Sequence, residues 1–570
     1  GQVYYDQASG NAYADGSIYY ELGPYQAHIF EINRNRQSAL HNRLADALFR
    51  FFFSHTDNNG IKQIGMHAGF PNFDTTEWGR DSAIALSGVV AQAARQIESW
   101  DRQWPLVAPL LDKMTKKLIY DTEVNDDRIN STEWRLLDSN VACANLVNWK
   151  TIARELLLKW VDSIECGVVP NVAGHDDPKS GDRTADAGLW LIEGAYQYID
   201  AFDERGILEA KLSQNQTVAQ KLQSIVDRYM LSQSEAEAKY GQGRIYSDQG
   251  TGFVWVPRES RWTDTQFNGF SGYACEIQAL MFNALRKAAI FTPKRRDAYL
   301  SQASKIEKHF IDYFSHLRTG SLYDILRAEY GQSPQEALRD PATTNNIVFP
   351  AYFGLLDNNR HAREWVLTSI NDRLLINGAI KSLAAPRDDE SDWVIRWDSL
   401  ELLDEGNEEG RVRFENVEYD NVAGLIGTTQ KRVYCPWYGY SQQPAWFRDT
   451  RYHNGVGWSW PYMFFWAAAL NSEHIPRENL SNTRNRVYFE LERLLNHEFT
   501  GNSSQGFFGG SISELVTAPL DAVGRENQEF YPAGCNEQLW GVSNAIWGLR
   551  EVFSSSSAER VKELSRRERV

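Results

Sequence analysis

Apolar residues recur at helical spacing along most of this chain, and that pattern limits its fold more than any other feature. The stretches are Ala39–Phe53, Asp81–Ile97, Leu106–Ile119, Val147–Ile164, Asp186–Phe202, Val218–Met230 and Tyr273–Ile290. They continue with Ala298–Phe314, Asn346–Leu356, Ala362–Arg373, Gly457–Leu470, Thr483–Leu495 and Asn536–Phe553. A charged tail, Ala558–Val570, suits a terminal surface helix. Strand-like runs are few and local, such as Gly252–Val256 and Arg432–Cys435. No Pro- or Ser-rich linker divides the chain, and no motif repeats at a fixed period, which sets a solenoid aside. The reading is a mainly α fold of about a dozen helices in one array, the (α/α)6 toroid of helical hairpins. Long loops rich in Gly, Asp, Asn and Trp separate the helices, and such loops are tolerated when they build a site. Residues 1–38, Tyr- and Gly-rich, read as an irregular or β segment packed on the barrel, and 39–570 as the catalytic domain.

Composition removes several classes of function. The net charge of −16 over 570 residues makes a poor partner for nucleic acid or an anionic membrane surface. No apolar run reaches the roughly 18 residues of a membrane span. Cys143, Cys166, Cys275, Cys435 and Cys535 are far apart and form no CxxC pair, against a disulfide framework and against zinc. A cytoplasmic setting is the expectation. The chain has no Walker loop, dinucleotide fingerprint, Gly-x-Ser-x-Gly elbow or His-Glu-x-x-His element. His175-Asp176-Asp177 has no complementary ligands nearby, so neither metal nor organic cofactor is expected.

Aromatic residues, 13% of the chain, are the unusual total, and several stand beside charged groups ahead of a helix. A pyranose offers apolar C–H faces to a ring and hydroxyls to Asp, Arg or His. Trp78-Gly79-Arg80-Asp81 suits that, although Asp81 can also simply cap the helix that follows. Asp186, in Ala185-Asp186-Ala187-Gly188-Leu189-Trp190, reads first as a helix N-cap. Glu276 begins an apolar helix, either as a paired carboxylate or as a surface residue favoured by the helix dipole. His453, before Trp458 and Trp460, can be a ligand or a satisfied buried histidine. Glu514 lies in a Gly/Ser-rich loop, Gly509-Gly510-Ser511-Ile512-Ser513-Glu514. Asp186 and Glu514 stand in unlike surroundings, which lets two carboxyls hold different protonation states at one pH. Hydrolysis of a glycosidic bond needs such a pair.

These same residues resemble the amylo-α-1,6-glucosidase family, the C-terminal half of eukaryotic glycogen debranching enzyme and its microbial relatives. Trp78-Gly79-Arg80-Asp81-Ser82 is similar to that family's Trp-Gly-Arg-Asp-Thr element. Gly167-Val168-Val169-Pro170-Asn171 and Asp186-Ala187-Gly188-Leu189-Trp190 resemble its Gly-Leu-Ile-Pro-Asn and Asp-Ala-x-x-Trp elements. Glu276-Ile277-Gln278-Ala279-Leu280 is similar to Glu-Ile-Asn-Ala-Leu, and Tyr452-His453-Asn454-Gly455 to Tyr-His-x-Gly. Ser513-Glu514-Leu515 and Cys535-Asn536-Glu537-Gln538-Leu539-Trp540 resemble Pro-Glu-Leu and Cys-x-x-Gln-Ala-Trp, with Ser513 in place of Pro and Leu539 in place of Ala. The order along the chain is the family's, with a longer stretch between Ser99 and Asn148.

The resemblance implies an (α/α)6 toroid and an inverting exo-α-glucosidase that removes α-1,6-linked glucose. It makes Asp186 the general acid and Glu514 the general base. It makes Arg80 and Asp81 holders of the terminal glucose. Trp78, Trp190, Glu276, His453, Trp458 and Trp460 complete the expected sugar-binding set. The substrate implied is an α-glucan or branched oligosaccharide. The glucanotransferase half has no counterpart here, so a separate transferase, or a substrate already bearing a single α-1,6-linked glucose, is expected. Other inverting α-glycosidases on the same fold, acting on trehalose, a glucosylated glycan or a glucosylated small acid, stay open. So does a carbohydrate-binding protein without turnover.

Overall fold

The stretch Tyr462–Leu470 reads Tyr-Met-Phe-Phe-Trp-Ala-Ala-Ala-Leu, apolar on every face, and a helix of that kind has to be enclosed. In the computed structural model all of it but Leu470 is buried. Cys275–Phe291 and Ala187–Phe202 are also buried around most of their girth. By contrast, Val218–Tyr229 buries only one stripe, with Val218, Leu222, Ile225, Val226 and Tyr229 at helical spacing. A capping box between Thr217 and Gln220 sets where that helix begins. This difference sorts the helices into enclosed and flanking sets, and the fold is mainly helical.

The structure describes residues 3–6, 11–14, 40–56, 62–70, 73, 76–100, 103–116, 144, 147–172, 184–265, 269–376, 378–403, 410–436, 445–472, 474–496, 512–517, 531–533, 535 and 537–553. Within them the enclosed helices pack in succession. Gly79–Trp100 packs on Ala187–Phe202, which packs on Cys275–Phe291. That helix meets the short Val348–Tyr352, which meets Tyr462–Leu470, which meets Leu539–Phe553. Leu539–Phe553 then packs back on Gly79–Trp100. This last crossing is close: a Cβ on Gly88 would stand 2.1 Å from the Ser543 hydroxyl oxygen, so only glycine fits. The flanking helices lie against this succession. Trp149–Asp162 packs on Gly79–Trp100, Val218–Tyr229 and Arg296–Phe314 on Cys275–Phe291, and Arg360–Arg373 on Val348–Tyr352.

Several expectations are corrected. The helix expected over 39–53 ends at residue 49, and Phe52–Thr56 instead pairs antiparallel with Lys62–Met66. The expected helix Asn346–Leu356 shortens to Val348–Tyr352 after a 3-10 turn. Gly457 and Trp458 lie in a strand, and the helix starts only at Tyr462. Strands are also more numerous than the few local runs expected. A five-stranded antiparallel sheet joins Leu375–Ile376, Ala379–Lys381, Gly457–Trp458, Leu515–Thr517 and Tyr531–Ala533 in that order. Of the first 38 residues only Val3–Asp6 and Asn11–Ala14 are described, as an antiparallel pair. How that segment packs, and the tail Ala558–Val570, lie outside the described residues. Among the described residues no helix is long and apolar enough to cross a membrane.

Candidate active site

Two motifs that are far apart in sequence make one substructure. Trp78 bridges Val172, and the Gly79 N–H donates to the Asn171 carbonyl at 2.9 Å. A Cβ on Gly79 would lie 2.1 Å from the Pro170 carbonyl oxygen, so the Trp-Gly-Arg-Asp turn needs its glycine to seat on Val169-Pro170-Asn171. Glu77 braces the turn: it pairs with Lys159 and accepts the Met66 N–H at 3.0 Å. Arg80 and Asp81 therefore enter the first turn of Gly79–Trp100 from a fixed position.

Asp186 stands at the N-cap position of Ala187–Phe202, but its side chain makes no cap hydrogen bond. Its carboxylate turns away to accept the Arg80 Nε–H at 2.9 Å on Oδ1. Oδ2 is buried and has no hydrogen-bond partner among the described residues. Asp186 thus occupies the N-cap position without capping the helix by its side chain. The chain around it is held on two sides: the Ala185 N–H donates to the Ser260 carbonyl at 2.8 Å, and the Tyr229 hydroxyl donates to the Ala185 carbonyl. Arg80 also donates through Nη1 to Asp264 Oδ2 at 2.6 Å and through Nη2 to the Ser260 carbonyl at 3.4 Å. Burial works against the charge on Arg80, but Asp186 and Asp264 outweigh it and keep the guanidinium protonated.

Glu514 reaches the site from the sheet. Trp458 pairs with Leu515, the Ser459 N–H donates to the Glu514 carbonyl at 3.2 Å, and the Glu514 N–H donates to the Cys535 carbonyl at 2.8 Å. The carboxylate is buried and doubly held: the Tyr452 hydroxyl donates to Oε1, and the Cys535 N–H donates to Oε2 at 3.0 Å. Burial pushes Glu514 up to about 7, against the pull of those two donors and of Arg448. Burial likewise pushes Asp81 up to about 7, with Arg80 pulling down and the charges of Glu514 and Asp264 pushing up. Asp264 in turn acts on Glu514. The fold thus gathers Arg80, Asp81, Asp186, Asp264 and Glu514 into one electrostatic cluster. Residues Gly509–Ser511 of the expected loop lie outside the described residues, as does His175-Asp176-Asp177.

Glu276 is buried rather than on the surface, and it accepts from Arg261 Nη1 at 2.9 Å. Burial pushes it up to about 7; Arg261 opposes this, and Asp324 and Asp186 add to it. His453 is buried, stacks on Trp458 with ring centroids 5.1 Å apart, and meets the Thr265 hydroxyl at 3.3 Å through Nδ1. Burial, with Arg80 and Arg261, holds it well below its ordinary pKa, so its ring is neutral. Trp190, Trp458 and Trp460 are at most 2% exposed. Trp460 stacks on both Phe349 and Trp540, and Trp190 meets Trp460, Phe349 and Phe464. A sugar needs an open ring face, so these three sit where packing places them and not where stacking on a ligand would. Of the expected tryptophans Trp78 is the one partly exposed. Cys275, Glu276 and Asp324 have ligand atoms within 4.8 Å of one another. Arg261 and Arg432 already match those carboxylates, and burial pushes the Cys275 thiol well above its usual range, which suits an ion-paired core better than a metal.

Sequence reasoning missed Asp264 and Tyr452 as site residues. Both stand in aromatic–polar runs, Arg261-Trp262-Thr263-Asp264 and Tyr452-His453-Asn454-Gly455, where the neighbours drew the attention.

Residues 146–390 match the model of the family described as Amylo-alpha-1,6-glucosidase. The chain carries a domain of that family. The protein is accordingly a glycoside hydrolase, and the matched stretch holds Asp186, Asp264 and Glu276. No curated protein matches the chain. Among solved structures, one described as "Glycosidase Wild Type" is 11% identical with a TM-score of 0.42, over 91% of this chain and 97% of that one. The glycoside hydrolase family 63 mannosylglycerate hydrolase from Thermus thermophilus, in complex with Tris, is 9% identical with a TM-score of 0.39, over 89% and 99%. The family 76 mannosidase Bt3792 from Bacteroides thetaiotaomicron is 10% identical with a TM-score of 0.35, over 93% and 100%. Scores this low leave the site to be argued from its own residues.

Proposed function

We propose that the protein is an inverting α-glucosidase that removes a terminal α-1,6-linked glucose from a branched α-glucan or oligosaccharide and releases β-glucose. The observation that supports this is that Asp186 and Glu514, from distant parts of the chain, are both linked to Asp264: Asp186 through their shared Arg80, Glu514 through its charge. The family domain over residues 146–390 supports the bond type. We read the succession of enclosed helices that returns on itself as an (α/α)6 toroid, with residues 39–570 as its catalytic domain.

In this reading Asp186 gives a proton to the glycosidic oxygen. Its Oδ2 suits that task, because Arg80 occupies Oδ1 and leaves Oδ2 unpartnered. The C–O bond breaks through an oxocarbenium-like state. Glu514, ionised, takes a proton from a water that attacks the anomeric carbon on the opposite face. Each Glu514 oxygen spends one lone pair on Tyr452 or Cys535 and keeps another for that water. Arg80 and Asp81 orient the ring, and Trp78 supplies an apolar edge. The step needs no cofactor. A separate glucanotransferase would prepare the substrate where the natural polymer carries longer branches, and a cytoplasmic setting belongs to the same reading.

The test is to follow anomeric protons by NMR from the first minutes of hydrolysis of a maltooligosaccharide bearing one α-1,6-glucosyl branch. β-Glucose should appear first; early α-glucose overturns inversion, and no glucose overturns the substrate. A second expectation concerns Tyr452. Its hydroxyl lowers the Glu514 pKa by stabilising the carboxylate, so Tyr452→Phe removes that pull and raises it. The base must be ionised, so the acidic limb of kcat/KM should move to higher pH, by about half to one unit. A limb that stays in place, or moves down, would detach Tyr452 from the base.

A further inference from the structure

Arg80 poses a difficulty for an acid at Asp186. An opposite charge within hydrogen-bond reach favours the ionised carboxylate, yet a general acid has to carry a proton. The structure places a second carboxylate on the same guanidinium. Arg80 contacts Asp186 at 2.9 Å and Asp264 at 2.6 Å, and it is the one cation paired with either among the described residues. One cation between two carboxylates leaves a surplus negative charge when both ionise. In a buried cluster that surplus is costly, and one proton removes it.

Hydration decides where the charge stays. The Asp264 side chain is 40% accessible, whereas those of Arg80 and Asp186 are 6% and 1%. Charge is cheaper on the hydrated partner. We propose that Asp264 is a positioning residue for the acid step: it takes up the charge of Arg80 and so leaves Asp186 able to hold the proton it donates. This rests on the reading of Asp186 as the acid. After transfer the proton is on the leaving oxygen, Asp186 is ionised against Arg80, and the proton of the attacking water is on Glu514. Exchange with solvent resets both.

The surrounding charges do not undo this arrangement. Asp81 and Glu514 both feel Asp264, and Arg448 acts on Glu514. Glu276 feels Asp186 but is paired with Arg261. His453, beside Thr265, is neutral. The protein packed around Asp264 raises its carboxyl even though two-fifths of the side chain keeps contact with water; Arg80 lowers it and the charge on Asp186 raises it.

The experiment is Asp264→Asn in the full chain, assayed on the α-glucoside that the wild type hydrolyses best and on α-glucosyl fluoride, which needs little acid assistance. With Asp264 neutral, Arg80 has one carboxylate fewer to answer and holds Asp186 ionised more firmly. The basic limb of kcat should fall by about one pH unit or more, and kcat on the glycoside at pH 7 by about 10- to 100-fold. Turnover of the fluoride should stay within about threefold, which also reports a folded site. Asp264→Glu should restore much of the limb. Equal loss on both substrates, or an unmoved basic limb, overturns the proposal. Asp186→Asn separates the two ideas: if it loses the fluoride as badly as the glycoside, the acid reading itself fails. If Asp186→Asn spares the fluoride and Asp264→Asn does not, only the role of Asp264 fails.

Discussion

Glu514→Gln should lower kcat on an unactivated glucoside by about 1,000- to 10,000-fold, the upper range for one positioned proton acceptor. That corresponds to about 4–5.5 kcal/mol of lost transition-state stabilisation. The carboxamide cannot take a proton from water, but it fits the same pocket. Its oxygen can accept the Cys535 N–H that now donates to Oε2, and its NH2 can face the Tyr452 hydroxyl oxygen. Fold and sugar binding should therefore survive, and glucose titration of the variant should match the wild type. Turnover within tenfold of wild type would remove Glu514 as the base. Retained binding with lost turnover would also exclude a binding-only protein.

The same substitution has a pH signature in stability. Glu514 in the folded protein is raised to about 7 from 4.5, chiefly by burial. A raised carboxyl pKa means that the folded state binds the proton more tightly than the unfolded chain does. Its contribution is fully present below pH 4.5 and is lost as pH rises through 7. The variant has no such loss. Its stability relative to wild type should therefore rise between these limits, by on the order of 1–3 kcal/mol, in denaturant titrations at pH 5 and pH 8. A difference that is flat or falls with pH would show that burial does not raise the Glu514 carboxyl.

Much of the helical framework was legible because an enclosed helix advertises itself. Tyr462–Leu470 and Cys275–Phe291 can be nothing but buried, and Val218–Tyr229 displays one stripe. What escaped depends on partners far away. Gly457–Trp458 looks like the start of the next helix until Leu515 and Ile380 pair with it. Phe52 and Phe53 extend a helical run until Gly65 and Met66 claim them as a strand. Gln233–Tyr240 was missed because it buries only Ala236, although the Ser232–Glu235 capping box marks its start and could have been read.

The candidate site divides in the same way. Arg80, Asp81, Asp186 and Glu514 stood out by motif, but motif could not show that the Asp186 side chain leaves its helix uncapped and turns toward Arg80. Asp264 was invisible because its meaning is a contact with Arg80, 184 residues away. The buried tryptophans show the opposite error. Proximity to polar residues suggested sugar platforms, while Trp190, Trp458 and Trp460 pack against other aromatic rings.

The largest loss of stability should come from Arg432→Met. Arg432 is fully buried and pairs with Asp324 at 2.5 Å and with Asp340 at 2.8 Å. Asp340 also pairs with Arg327, and Asp324 lies 3.5 Å from Arg261. Methionine restores much of the volume but leaves two buried carboxylates short of one cation, which costs about 3–5 kcal/mol. The effect should depend on pH. Burial opposes the charge on both aspartates, but Arg432 with Arg261 or Arg327 outweighs it and holds both below the ordinary range. Their stabilisation is present above the unfolded pKa of 3.8 and is lost as pH falls through the lower folded values. The gap between wild type and variant should accordingly be full near neutrality and close in acid. Adding Asp324→Asn to Arg432→Met removes one orphaned charge and should recover part of the loss; an additive double variant would point to packing instead of charge. The network also carries the site. Asp324 accepts from Asn346 Nδ2 at 2.7 Å, Asn346 Oδ1 accepts the Trp262 indole N–H at 2.6 Å, and Trp262 lies two residues before Asp264. A loosened Arg432 cluster therefore frees the segment that delivers Asp264 to Arg80, so Arg432→Met should lose activity at temperatures where it is still folded, with kcat falling more than KM rises. Full activity in a destabilised variant would separate the ionic core from the chemistry.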